Sequence, residues 1–207
     1  MGTDVEAFRF GAVTAGVLVR SFSNGAMSTQ LVFESPDGRL VDLYQQTVFD
    51  DVHAWTEFSY RDDGDEIRVF NRRTDDASRR TPSVDVGAAI PSYAAHDVLR
   101  RFIHSDAPDV HFEQFAEAVH PAPTRARFVR EGSDELVIDG ARIPARRIRL
   151  YVDARPGNTF WTSGTTIVMS DWGGAQSYPV TDLDAVLHSL TPRARALAVA
   201  LVEAGDA

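Results

Sequence analysis

Between residues 28 and 71 apolar and polar side chains alternate, and three turn signals punctuate the alternation. Pro36-Asp37-Gly38 suits a three-residue loop with Gly38 in the left-handed position of a bulge, which pairs Leu31 with Leu43 and Phe33 with Val41. Asp50-Asp51 and Asp63-Gly64 read as the next two turns. They place Leu43 opposite Phe58, Phe58 opposite Val69 and Tyr60 opposite Ile67. All three turns thus send one apolar set to a single face. Side chains alternate with period two, so a one-residue slip would throw that set to the other side. The stretch therefore reads as a four-stranded antiparallel meander. Its opposite face carries Asp42, Tyr44, Gln46, His53, Trp55, Glu57 and Ser59 and reads as a solvated surface, with a polar site as the sharper alternative.

A second sheet region follows the same logic. Arg146 to Met169 holds two alternating runs around Pro156-Gly157, the pattern of a hairpin. Centring the turn there pairs Val152 with Trp161, Leu150 with Ser163 and Ile148 with Thr165. That places Ile148, Leu150, Val152, Trp161, Ser163 and Thr165 on one face and Arg147, Arg149 and Tyr151 on the other. Further strands are expected over 8–22, bent near Gly11 and Gly16, and over 125–130, 135–139, 143–152 and 176–180. Helical spacing of Val98, Leu99 and Phe102, and of Phe112, Phe115, Ala116 and Val119, predicts a helical insertion over 91–120, with Asp109 as the second N-cap. Two C-terminal helices are expected over 181–205. Thr181-Asp-Leu-Asp starts the first as a variant capping box, and Thr191-Pro192 starts the second, which Gly205 stops. The Arg-rich segment 72–90 reads as a surface loop long enough to form a lid.

The fold class expected is mainly β (α+β): a single antiparallel β-barrel or half-barrel enclosing a cavity, with a central helical insertion and C-terminal helices. It is read as one domain over 1–207, made of N-terminal strands and meander (8–72), helical insertion (91–120), C-terminal strands (125–180) and C-terminal helices (181–205). With 43% hydrophobic residues the chain can build a substantial core.

Composition then removes whole classes of function. There is no Cys, so thiolate nucleophiles and Cys-ligated metals are out. All 21 basic residues are Arg, which excludes Schiff-base chemistry and a P-loop Lys. A formal net charge of -9 disfavours nucleic acid and anionic membranes as partners. The six His residues show no metal-ligand spacing, and no Gly-x-Ser-x-Gly elbow or Gly-rich phosphate loop is present. No metal and no cofactor are expected. The N-terminal sequence has no apolar signal core and no apolar run could span a bilayer, so a cytoplasmic protein is expected.

What remains is a β surface on which a few polar groups sit among apolar ones, the make-up of a small-molecule pocket. Tyr60, Thr56 and Gln45 are the candidate catalytic groups. Leu43, Phe58, Val69, Asn71, Leu150, Trp161, Ser163 and Thr165 are the candidate substrate-binding residues. The meander, the central helical insertion and the returning hairpin with a Trp near its turn resemble bacterial β half-barrels related to lipoprotein carriers. The size and the missing catalytic motifs also resemble small β-barrel cyclases of bacterial polyketide pathways. The second resemblance implies a cofactor-free enzyme that holds a hydrophobic substrate in a reactive conformation for [4+2] cycloaddition or a related cyclisation. The first implies a non-catalytic binder or carrier of a hydrophobic small molecule. The partner expected in both cases is a hydrophobic small molecule, with no nucleic acid and no membrane. A homodimer is left open.

Overall fold

The structure, a computed structural model, describes residues 2–23, 25–51, 54–62, 68–71, 88–116 and 122–205, with the side chains of 62, 68–71, 204 and 205 left aside. Residues 72–87 of the expected lid segment and the Asp63-Gly64 turn lie outside these residues, and Ile90, at the segment's end, is in a strand. Two compact units make up the chain: residues 1–85 together with 180–207, and residues 86–179.

In the first unit six strands follow one another across an antiparallel sheet: β1 (Gly2–Phe10), β2 (Val13–Ser23), β3 (Ala26–Glu34), β4 (Leu40–Phe49), β5 (Trp55–Asp62) and β6 (Arg68–Asn71). The meander is as the sequence predicts. Leu31 faces Leu43 and Phe33 faces Val41. Gly38 adopts φ +83°, and its N–H donates to Ser35 O at 2.8 Å, closing the expected loop. Beyond it the registers move. The Asp50 loop extends to Ala54, whose carbonyl accepts from Asp50 N and whose N–H donates to the Asp50 carboxylate, both at 2.9 Å. Phe58 therefore faces Thr47 instead of Leu43. That displacement is an even number of residues, so Phe58 keeps its face. Between β5 and β6 the offset is a single residue: Ser59 aligns with Val69, and Phe58 with Phe70, so Val69 is not the partner of Phe58.

Gly16 has a steric role. It sits opposite Phe33, and a Cβ there would lie 1.9 Å from Val32 O. Only a bare α-carbon lets β2 and β3 approach this closely, and beside it Phe8, Phe10 and Phe33 cluster with ring centroids 5.0–5.7 Å apart.

The C-terminal helices α2 (Leu183–Ser189) and α3 (Pro192–Gly205) pack on one face of this sheet. The core there joins Val17, Val19 and Val32 to Leu190, Ala194, Ala198 and Leu201. Asp182, rather than Thr181, caps α2: its carboxylate accepts from Ala185 N at 3.0 Å. Pro192 opens α3 as expected, with Thr191 Oγ1 accepting from Ala194 N at 3.3 Å. This is the face that carries Asp42, Tyr44 and Ser59, so the expectation of a solvated surface fails. Ser59 and Trp55 are buried. Asp42 pairs with Arg61 at 3.1 Å, and burial pushes the Tyr44 phenol above its ordinary pKa. Helices with an apolar stripe need an apolar strip of sheet, and Val5, Val17, Val19 and Val32 provide it.

The second unit runs β7 (Ile90–Pro91), a 3-10 turn at Ser92–Ala94, α1 (Ala95–Ile103), β8 (Asp109–Phe115), β9 (Pro123–Ile138), β10 (Ala141–Val152), β11 (Arg155–Ser163), β12 (Thr166–Asp171) and β13 (Gln176–Pro179). Within it the strands lie in the order β13-β12-β11-β10-β9-β8-β7. The first expected helix of the insertion forms. Residues 109–115 of the second are a strand, and 117–120 are outside the described residues. The stretch also alternates, with Asp109, His111 and Glu113 polar and Val110 and Phe112 apolar. Pairing with β9, which sets Val110 against Phe128 and Phe112 against Ala126, selects period two.

The hairpin turn also lies elsewhere. Asp153 and Ala154, at φ +46° and +64°, form a two-residue turn, and Val152 pairs with Arg155. Positive φ at both central residues is the backbone of a type I′ turn. Pro156-Gly157 falls in the following register irregularity, where a proline is tolerated. The displacement inverts the faces of β11: Ile148 meets Phe160, and Arg147 meets Trp161.

One face of this sheet carries α1. Leu99, Phe102 and Ile103 pack on Ala126, Phe128, Ile148, Leu150 and Phe160. Arg130 fastens the helix end. Its guanidinium donates to Phe102 O at 2.8 Å, Ser105 O at 2.7 Å and Ala107 O at 3.0 Å, and lies 4.6 Å from the Phe102 ring centroid. Carbonyls at and just beyond the helix end, Phe102 O among them although it also accepts from Ser105 N at 3.0 Å, thus gain a charged donor.

Candidate functional site

In the first unit the registers define the sheet face opposite the helices one rank at a time. Arg20 faces Thr29, Thr29 faces Gln45, and Gln45 faces Tyr60, so four polar side chains from four adjacent strands stand in a single row. On one side of that row runs Leu18, Leu31 and Leu43; on the other run Phe22, Met27, Thr47 and Phe58. A polar row between two mainly apolar rows, the second interrupted by Thr47, is unusual for a face that is closed to solvent. Arg20, Thr29, Gln45, Thr47, Met27 and Phe58 are all buried, with Phe58 at 0% exposure. Strand spacing of about 4.8 Å makes the row from Arg20 to Tyr60 roughly 14 Å long.

The polar groups are not equally satisfied. Glu6 ion-pairs with Arg20, and both are buried. A charge pair withdrawn from water is tolerated only with such a partner. Phe58 and Tyr60 stack, with centroids 5.8 Å apart. Thr56 Oγ1 donates to Val48 O at 3.3 Å, at the bulge where β4 and β5 change register. Gln45 differs. At 2% exposure, its Oε1 accepts no hydrogen bond among the described residues. An unmet amide oxygen in a buried site costs about 1–3 kcal/mol unless something fills it.

The three catalytic candidates therefore fall in one neighbourhood, Gln45 and Tyr60 directly opposite and Thr56 four residues along β5. Leu43 and Phe58 flank them. Val69 and Asn71 lie on β6, aligned with Ser59 and Glu57. Sequence reasoning passed over Glu6, Arg20 and Thr29. The rank of Thr29 follows from the Leu31–Leu43 register, whereas those of Glu6 and Arg20 become visible only once β1 and β2 are aligned with the meander.

The other candidates lie in the second unit and separate there. Leu150 is in the core beneath α1. Ser163 and Thr165 are exposed near the β11–β12 turn. Trp161 stands on the opposite face, its indole N–H donating to Asp134 Oδ2 at 2.8 Å. That face is a charged network. Glu131 pairs with Arg149 at 3.1 Å and accepts from the Tyr151 hydroxyl, Arg147 pairs with Asp134 at 3.2 Å, and Arg127 lies 5.1 Å from the Tyr151 ring centroid. The hydrogen bond to Glu131 is the main cause that raises the Tyr151 pKa, since losing the proton would set a phenolate against a carboxylate. Ultraviolet titration should show Tyr151 ionising above the ordinary phenol range. Glu131→Gln should bring it back down, whereas an unchanged titration would mean the two groups do not meet.

Among the described residues no group of three or more His, Asp or Glu side chains could hold a metal, and no helix is long and apolar enough to cross a membrane.

A chain of strands that pair antiparallel throughout except between β7 and β8, with helices on its sheet faces, belongs to the mainly β class. A crystal structure described as a β-barrel-like protein of a domain of unknown function, DUF1849, from Brucella abortus resembles it with a TM-score of 0.53 over 86% of this chain and 94% of that one, at 10% sequence identity. That likeness makes the fold barrel-like and says nothing of activity. No family model and no curated protein matches the sequence.

Proposed function

We propose that the protein binds a small amphipathic molecule on the buried face of β2–β5. The observation that carries this reading is the polar row Arg20-Thr29-Gln45-Tyr60 held between two mainly apolar rows, with Gln45 Oε1 unpaired in a buried position. A core that only had to be stable would fill these ranks with apolar side chains, because each buried polar group is a cost unless paired. A binding face instead needs apolar area for affinity and a few hydrogen-bonding groups for orientation. A cytoplasmic setting belongs to the same reading.

A second reading has one supporting observation: Gln45 and Tyr60 are cross-strand neighbours. A substrate carbonyl placed between an amide N–H and a phenol would gain stabilisation of charge developing on its oxygen. The flanking Leu and Phe rows would hold a linear polyene in a reactive fold, as a cofactor-free cyclase requires.

Titration with the neutral fluorophore N-phenyl-1-naphthylamine tests the first reading. One saturable site is expected, weakened severalfold by Tyr60→Phe with the fold unchanged. A folded protein that gives no saturable signal would overturn it. The cyclase reading is tested by incubating protein with a linear polyene carrying a conjugated carbonyl and looking for an isomeric cyclic product. A conversion rate equal to that in buffer rejects it.

A further inference from the structure

We infer that the ligand of this face carries a neutral hydrogen-bond-donating head, a carboxamide or a hydroxyl, in place of a carboxylate or an ester. The inference rests on the binding reading above and concerns which chemistry the row selects. Arg20, the one cation among Arg20, Thr29, Gln45 and Tyr60, already carries its counter-charge: Glu6 ion-pairs with it, and the two are 3% and 6% exposed. A ligand carboxylate would have to compete with a buried carboxylate for the same guanidinium, with like charges close together in a low-dielectric site. An anionic head is thus selected against, although an Arg is present. Two strands away stands the group that lacks a partner. Gln45 Oε1 is an acceptor, buried, and receives no donor among the described residues. An acceptor asks for N–H or O–H. An ester or ketone presents only lone pairs and would leave Gln45 Oε1 without a donor.

The rest of the row fits a compact head. Thr29 and Tyr60 flank Gln45 on the neighbouring strands, about 4.8 Å to each side. A hydroxyl or primary amide that donates to Gln45 still has lone pairs to offer to a neighbouring hydroxyl. The apolar body of the ligand then lies along Leu31 and Leu43 or along Met27 and Phe58.

The test holds the apolar body constant and varies the head. Dodecanamide, 1-dodecanol, methyl dodecanoate and sodium dodecanoate are each used to displace N-phenyl-1-naphthylamine from wild type and from Gln45→Leu, a near-isosteric change. The amide and the alcohol should compete about tenfold better than the ester and the carboxylate, the scale of one buried hydrogen bond. In Gln45→Leu that preference should shrink to within about twofold. Equal competition by all four on wild type would overturn the head-group inference and leave the binding reading standing. So would tightest competition by dodecanoate, or a preference that survives in Gln45→Leu. Failure of the fluorophore and of all four compounds to bind would overturn the binding reading itself. The head-group order on wild type decides the question even if Gln45→Leu does not fold.

Discussion

Glu6→Gln is expected to destabilise the protein by about 3–5 kcal/mol, because it removes the carboxylate charge that pairs with the buried Arg20 guanidinium. A domain has only about 5–15 kcal/mol in total. For a chain of this length the melting temperature should fall by on the order of 10 °C. The reason is an asymmetry. The pair as a whole adds little, since desolvation of both ions offsets much of their attraction, but half of it is worse than none. Replacing both residues, Glu6→Leu with Arg20→Met, should accordingly recover most of the loss. Thermal or urea unfolding of Glu6→Gln and of the double variant checks this. A Glu6→Gln protein that melts with wild type would mean the pair is reached by water. The double variant also bears on function, since binding of a neutral probe should survive it if Arg20 is not part of the head-group contact.

The second large effect separates two neighbouring aromatic residues. Phe160→Ala should cost about 3–5 kcal/mol, the range for truncating a buried Phe. Phe160 is 4% exposed, faces Ile148, and meets Phe128 and Trp172 edge-on at centroid distances of 5.9 and 5.6 Å. Trp161→Ala should cost roughly 1.5–3 kcal/mol, the scale of one hydrogen bond to the charged Asp134 carboxylate, since the ring itself is only half-buried. Judged by residue size alone, the order would be reversed. Chemical denaturation of both variants gives the comparison directly. A Trp161→Ala cost equal to or above that of Phe160→Ala would contradict the observed register of β10 and β11.

That register shows where the sequence is legible and where it is not. Alternation with period two identifies the strands, because a half-buried sheet imposes it whatever the partner strand is. Turn residues locate the loops where their own chemistry is decisive. Pro36-Asp37-Gly38 needs a residue at positive φ and supplies a glycine, so the pairing of Leu31 with Leu43 follows from local chemistry alone. Thr191-Pro192 is the same case for a helix start. The placement of Gln45, Thr47, Phe58 and Tyr60 on a common face is equally local, and it holds although the Asp50 loop is longer than its two aspartates indicate.

Tertiary structure decided the rest. Asp153 and Ala154 take positive φ although alanine disfavours it, so the pairing of β10 with β11 prevails over the stronger local turn signal at Pro156-Gly157. Residues 109–115 satisfy both a helical and a strand period, and the free edge of β9 settles the matter. The face that receives α2 and α3 was undetermined, because both faces of the first sheet carry apolar residues and only the packing of Leu190, Ala194 and Leu201 on Val17, Val19 and Val32 selects one. The buried row containing Arg20 belongs here as well. Each of its members lies on a different strand, 9 to 16 residues from the next in the chain, and only the registers of four strands together bring them into line.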